Sequence, residues 1–164
     1  LLEIWQVKFC ILAYWYRGGT MCSFRITVTD NTQFPEILTA LKNEVRNSCT
    51  DIANDVLYVS RGAAPFKTGN LEKAISMSTR SSGDKFEAEI GVSAFDKGFD
   101  YGALRHDEPF NLGPGSVAKG GVNSNITGNY SAVGYNFAGG TAEQNADDYV
   151  KFLEENISNV LDNF

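Results

Sequence analysis

The stretch Arg61-Gly62-Ala63-Ala64-Pro65-Phe66-Lys67-Thr68-Gly69-Asn70-Leu71 decides the fold, because the hydrophobic period changes across it. Pro65 has no N–H and pushes Ala64 out of helical angles, so a helix arriving from upstream ends here. Gly69 then lets the backbone turn. The stretch is expected to be a corner joining a helix to a β-hairpin.

Upstream of the corner, Phe34, Leu38, Leu41, Val45, Cys49, Ile52, Val56, Val59 and Ala63 step by three or four. They form one apolar stripe, with Glu36, Asn43, Asn47, Asp51 and Asp55 off it. A helix of this span is about 40 Å long at 1.5 Å per residue. Asp30, Asn31 and Thr32 are turn and N-cap types, and Pro35 suits a first helical turn. Before them, Phe24, Ile26 and Val28 alternate with polar residues, as do Trp5, Val7, Phe9 and Ile11, so both runs read as strands.

Downstream, residues 71–74 read as a helical turn. Ile75 and Met77 alternate with Ser76 and Ser78, and Phe86, Ala88, Ile90 and Val92 alternate with Glu87, Glu89 and Gly91. Ser81-Ser82-Gly83-Asp84 between them is a turn signal. The hairpin's apolar face is expected to cover the helix stripe. Residues 94–100 read as a connection, and residues 101–110 as a short strand or helical turn ended by Pro109. Residues 111–140 hold eight of the 16 glycines and a single charge, Lys119. They are expected to be a long loop that orders against a partner, with residues 116–133 removable without loss of the fold. Thr141 with Gln144 reads as a capping box, opening a second stripe through Ala146, Val150, Leu153, Ile157, Val160 and Phe164.

The expected fold class is α+β. A long N-terminal amphipathic helix and a C-terminal helix pack on a small antiparallel sheet, with a long Gly/Asn-rich loop. One domain is expected over residues 21–164. Met21 reads as a natural start, which would make residues 1–20 a leader or non-native extension.

Composition narrows the function. The 164 residues carry a net charge of −6 and no basic run, which disfavours a grip on nucleic acid. Residues 1–16 are too short, and too often interrupted by Glu3, Gln6 and Lys8, for a membrane helix of about 20 residues. Cys10, Cys22 and Cys49 are widely spaced and read as reduced, apolar side chains. Between Gly113 and Gly121, Lys119 is followed by glycine and not by Ser or Thr, so the phosphate-loop pattern fails. His106 beside Asp107 and Glu108 lacks the spacing of a metal motif, and no nucleophile elbow accompanies it. A structural or interface role for His106 is expected ahead of a small hydrolase centred on it. Asn125-Ile126-Thr127 and Asn129-Tyr130-Ser131 match glycosylation acceptors without a secretory signal. No metal, cofactor, specific nucleic-acid or membrane partner is expected.

The order of features resembles a known family. Ala64-Pro65-x-x-Thr68-Gly69-x-Leu71 follows the long helix. Tyr101, His106 and Glu108 follow the hairpin, and Lys151-Phe152-Leu153-Glu154 lies in the last helix. Over residues 34–164 the chain resembles the minor-capsid or head–tail joining (tail-completion) proteins of tailed bacteriophages. Gly102 after Tyr101, and Asp107 between His106 and Glu108, depart from the family's pattern. The resemblance implies a non-enzymatic α+β subunit of the virion neck, assembled in the bacterial cytoplasm. Such a subunit joins other copies in a ring, a hexamer in the simplest case, between the head connector on the portal side and the tail proteins. The residues expected at its interfaces are Phe66, Lys67, Thr68, Tyr101, His106, Phe110, Tyr130, Tyr135 and Phe137. The competing expectation is an exported or surface binding module that uses the Gly/Asn-rich loop.

Overall fold

The structure, a computed structural model, describes residues 6–16, 19–29, 35–82, 85–96 and 99–163, with side chains from Pro35 onward except that of Asp96. The expected turn at residues 30–32, Trp5, Phe34, the Gly83-Asp84 turn, Gly98 and Phe164 lie outside the described residues.

Pro35 opens the long helix α1 (Pro35–Ala63), and the helix ends one residue before Ala64-Pro65. Its 29 residues span about 44 Å. Leu41, Cys49, Ile52, Val56, Val59 and Ala63 of the stripe are buried. Burial pushes the Cys49 thiol up to about 12, so it stays protonated and behaves as a small apolar side chain. At the corner Gly69 takes φ +76°, a left-handed conformation that favours glycine. It leads into the short helix α2 (Asn70–Ala74).

The sheet is larger than the expected hairpin. Strands β1 (Gln6–Tyr16), β2 (Gly19–Thr29), β3 (Ile75–Ser82) and β4 (Lys85–Val92) lie in the order β1-β2-β4-β3, every neighbouring pair antiparallel. β1 pairs along its whole length, from Gln6 opposite Thr29 to Tyr16 opposite Gly19. Met21 lies inside β2, between Tyr14 of β1 and Gly91 of β4. On β4, Phe86, Ala88, Ile90 and Val92 are buried, as strict alternation requires. The register sets Glu87 opposite Arg80 of β3, an arrangement of opposite charges that favours this pairing.

The C-terminal helix α5 (Gly139–Asp162) lies antiparallel beside α1. Polar side chains bridge the two at three levels. Ser60 Oγ and Thr141 Oγ1 are 3.4 Å apart, Tyr149 donates to Asp55 at 2.7 Å, and Asn156 donates to Ser48 at 2.9 Å. Ala142 and Leu153 between these rungs, and Ile157 just past the last, join the cluster built by α1 and β4.

Two expectations are corrected. Residues 111–140 are a long connection, but not a structureless one. They contain helix α4 (Pro114–Lys119) and a small hairpin, β7 (Gly121–Asn123) with β8 (Tyr130–Ala132). Nor do Thr141 and Gln144 form a capping box. The helix starts two residues earlier, so Thr141 sits inside its first turn and donates back to Phe137 O and Ala138 O. Gln144 instead donates to Tyr130 O at 3.0 Å. Of the two readings for residues 101–110, the helical turn is the one formed. Asp100 caps α3 (Tyr101–Asp107) by accepting from the N–H groups of Gly102 and Ala103. Before it, β5 (Phe95–Asp96) and β6 (Phe99–Asp100) form a minimal hairpin.

The small hairpin lies on the C-terminal end of α1 at Gly62, where an added Cβ would stand 2.1 Å from Val122 Cγ1. Gly→Ala inside a helix ordinarily stabilises by about 1 kcal/mol. Here overpacking against Val122 wins, and Gly62→Ala is expected to cost about 1–3 kcal/mol in urea unfolding. A gain in stability would contradict this packing.

Candidate functional site

The surface available for function is fixed from beneath by one buried carboxylate. Asp55 lies on α1 only 4% exposed, although it falls off the apolar stripe. Its Oδ2 accepts from Ser124 Oγ at 2.5 Å and from the Tyr149 hydroxyl at 2.7 Å, and its Oδ1 accepts from the Asn125 N–H at 2.8 Å. Three donors from two other segments thus converge on a single carboxylate, the condition for burying one at tolerable cost. Burial, then the hydrogen bond and negative charge of Asp55, push the Tyr149 hydroxyl above its ordinary value, so it remains a donor.

Ser124 also organises the turn that follows it. Its Oγ accepts from the N–H groups of Ile126 and Thr127, and its carbonyl accepts from Gly128 N–H. Thr127 Oγ1 donates to Asn145 of α5. Asn129 Nδ2 donates to Asp148 at 3.0 Å, so one nitrogen of the second glycosylation pattern is already engaged. The Lys151 ammonium first, and the Asn129 amide second, hold the Asp148 carboxyl below its usual range.

A second anchor holds the start of the connection. Lys119 donates to the carbonyls of Arg61 at 2.8 Å and Ala64 at 2.9 Å, and to the Glu72 carboxylate. Its charge therefore meets the negative end of the α1 dipole. α4 also receives the corner: Phe66 N–H donates to Ser116 Oγ at 2.9 Å, and Ser116 Oγ donates to Phe66 O at 3.2 Å.

His106 lies in the interior of the fold. It is 6% exposed. Nδ1 lies 2.8 Å from Asp107 Oδ1, Nε2 faces the Gly139 N–H at 3.5 Å, and the ring packs edge-on against Phe137 at 5.0 Å. The His106 carbonyl accepts from Asn136 N–H. The histidine thus braces the start of α5.

The nine residues expected at interfaces separate into three groups. His106 and Phe137 meet each other in the interior, and this chain's own structure covers them. Tyr101 and Phe110 are half-buried, the latter beneath the Arg105 guanidinium at 4.7 Å. Phe66, Lys67, Thr68, Tyr130 and Tyr135 are exposed. Sequence reasoning missed exposed Phe95 and Phe99 on the β5–β6 hairpin, and Leu112 and Val117 around α4. Their signal was an aromatic or aliphatic residue inside a turn-rich stretch. A shallow groove beside the buried carboxylate is lined by Asp51, Asn54, Asp55, Tyr58, Asn125 and Ile126. Among the described residues no group of three or more His, Cys, Asp or Glu could hold a metal ion. Among them, too, no helix is long and apolar enough to cross a membrane.

No family model, curated protein or solved structure matches the chain.

Replacing Asp55 with Ala would strand the buried hydroxyls of Ser124 and Tyr149 and release the Asn125 N–H, and is expected to cost about 3 kcal/mol or more. Tyr149→Phe removes one of them and is expected to cost about 1–2 kcal/mol. Urea unfolding of the two variants checks the order. Equal costs, or none, would contradict the role of the carboxylate as a hub.

Proposed function

We propose that this chain is a structural subunit of a tailed-phage neck, a head–tail joining or tail-completion protein that works by contact with other copies and neighbouring virion proteins. The observation that carries the reading is the set of large apolar side chains left in solvent. Among the described residues six of these are aromatic: Tyr58, Phe66, Phe95, Phe99, Tyr130 and Tyr135. Exposed aromatics on turns held by a rigid scaffold are the usual material of protein interfaces. Phe66 lies within the Pro-x-x-Thr-Gly-x-Leu corner that carries the resemblance, and Phe95 and Phe99 stand just before the Tyr101 to His106 segment. The acidic balance, −6 overall, suits a subunit that surrounds a DNA channel without gripping it. Chemistry centred on His106 finds little support, because both ring nitrogens face groups of the fold and the ring is buried.

An early stop codon in this reading frame, placed in the genome of the source phage, tests the reading. DNA-filled heads and free tails that fail to join are the expected products in electron micrographs of the lysate. Joined, infectious particles at the normal level would contradict it.

A further inference from the structure

The four-stranded sheet ends in two outer strands, β1 and β3, and among the described residues neither pairs on its outer side. The outward backbone groups of β3 follow from its register. Ser93 N–H donates to Ala74 O, which makes residues 74 and 93 a hydrogen-bonded pair at the start of the ladder. Antiparallel pairing alternates, so Ser76, Ser78 and Arg80 bond inward to β4. Met77, Thr79 and Ser81 turn their N–H and C=O groups outward. Ile75 shares their phase, and its outward groups are already used. Its N–H donates to Glu72 O, and its carbonyl accepts from Arg61 Nη2 at 2.8 Å and Nε at 3.2 Å. The same geometry that satisfies Ile75 leaves the next three outward positions for another strand.

β3 also lacks the devices that protect a free edge. It has no proline, its register with β4 runs unbroken from Ile75 to Ser82, and its only charge, Arg80, stands opposite Glu87. From Ser78 to Ser82 every side chain is exposed, so among the described residues nothing covers this part of the strand. The opposite edge, β1, is 11 residues long, and apart from Gln6 and its single charge, Lys8, its sequence is apolar and aromatic.

We infer that the β3 edge of one copy pairs with the β1 edge of the next, so that a continuous antiparallel sheet runs from subunit to subunit. Strand direction allows this without rearrangement. Each neighbouring pair in β1-β2-β4-β3 is antiparallel, so the two outer strands run in opposite directions. Copies placed side by side in the same orientation bring β1 against β3 in antiparallel sense. The contact is head-to-tail, the type that closes into a ring or continues as a filament. Pairing of β3 with a second β3 would also be antiparallel, but it would leave the long apolar β1 edge of both copies open. The inference deepens the proposed neck function, because it names the contact from which the ring is built.

Proline distinguishes outward from inward positions. Thr79→Pro removes an N–H that β4 does not use, so the isolated fold should tolerate it. The full chain and the variant are compared by light scattering after size exclusion, with far-ultraviolet circular dichroism as the control for folding. The full chain is expected to run as a species of more than two subunits, and Thr79→Pro as a single chain of 18.0 kDa with an unchanged spectrum. If Thr79→Pro unfolds, Ser81→Pro, which removes the next outward N–H near the strand end, decides in its place. A proline variant that assembles like the full chain would overturn the edge contact and leave the ring reading standing. A full-chain dimer that proline splits would show β3 pairing with itself and overturn β1 as the partner. A full chain that stays monomeric at high concentration would overturn both the edge contact and the ring.

Discussion

A carboxylate buried in the middle of a long helix must be satisfied by something, and here the rest of the molecule is arranged to satisfy it. Asp55 takes a hydroxyl from Ser124, an N–H from Asn125 and a phenol from Tyr149. Those groups come from the Gly/Asn-rich connection and from α5, so one side chain ties three distant parts of the chain together. Hydrogen bonds to a charged acceptor are stronger than neutral ones, and a low-dielectric surrounding strengthens them further. Lys119 plays the complementary part at the end of α1, where a cation meets unsatisfied carbonyls. An anion at mid-helix and a cation at the helix end clamp the connection onto α1 at two points.

The clamp matters for the proposed role. A loop that ordered only on meeting its neighbours would spend part of its binding energy on that ordering. A connection already held on α1 and α5 offers Tyr130 and Tyr135 on a fixed frame, which lowers the entropic cost of association. The corner works in the same way. Phe66 stands exposed while its own N–H and carbonyl are both held by Ser116. In the proposed neck subunit, recognition would then act between preformed surfaces.

Much of the architecture was legible in the sequence, because it rests on period and punctuation. The stripe from Leu38 to Ala63, the stop at Ala64-Pro65, the left-handed Gly69 and the alternation of Phe86, Ala88, Ile90 and Val92 each carry a local physical cause. Asp55 was misplaced because a stripe drawn from apolar residues cannot admit a polar one. The signal was nonetheless present: Ser48, Ile52, Asp55 and Val59 follow helical spacing, so a polar pair shares the buried face. Residues 111–140 read as a loop because glycine suggests freedom. Gly62 and Gly121 serve instead for close approach, the latter with an added Cβ only 2.2 Å from Ser131 O. Interface residues were the least legible. Whether an aromatic such as Phe137 or Tyr135 faces inward depends on tertiary contacts, and the two lie only two residues apart with opposite fates.

The most direct measurement is amide hydrogen exchange across residues 120–134 in the isolated, dilute chain. The N–H groups of Asn125, Thr127 and Gly128 are held by Asp55 and Ser124, so they should exchange far more slowly than in an unstructured peptide. The Asp55→Ala variant should lose that protection first at these positions. Exchange at the unstructured rate in the wild-type chain would contradict the account. It would mean that the connection takes its shape only when a partner supplies it.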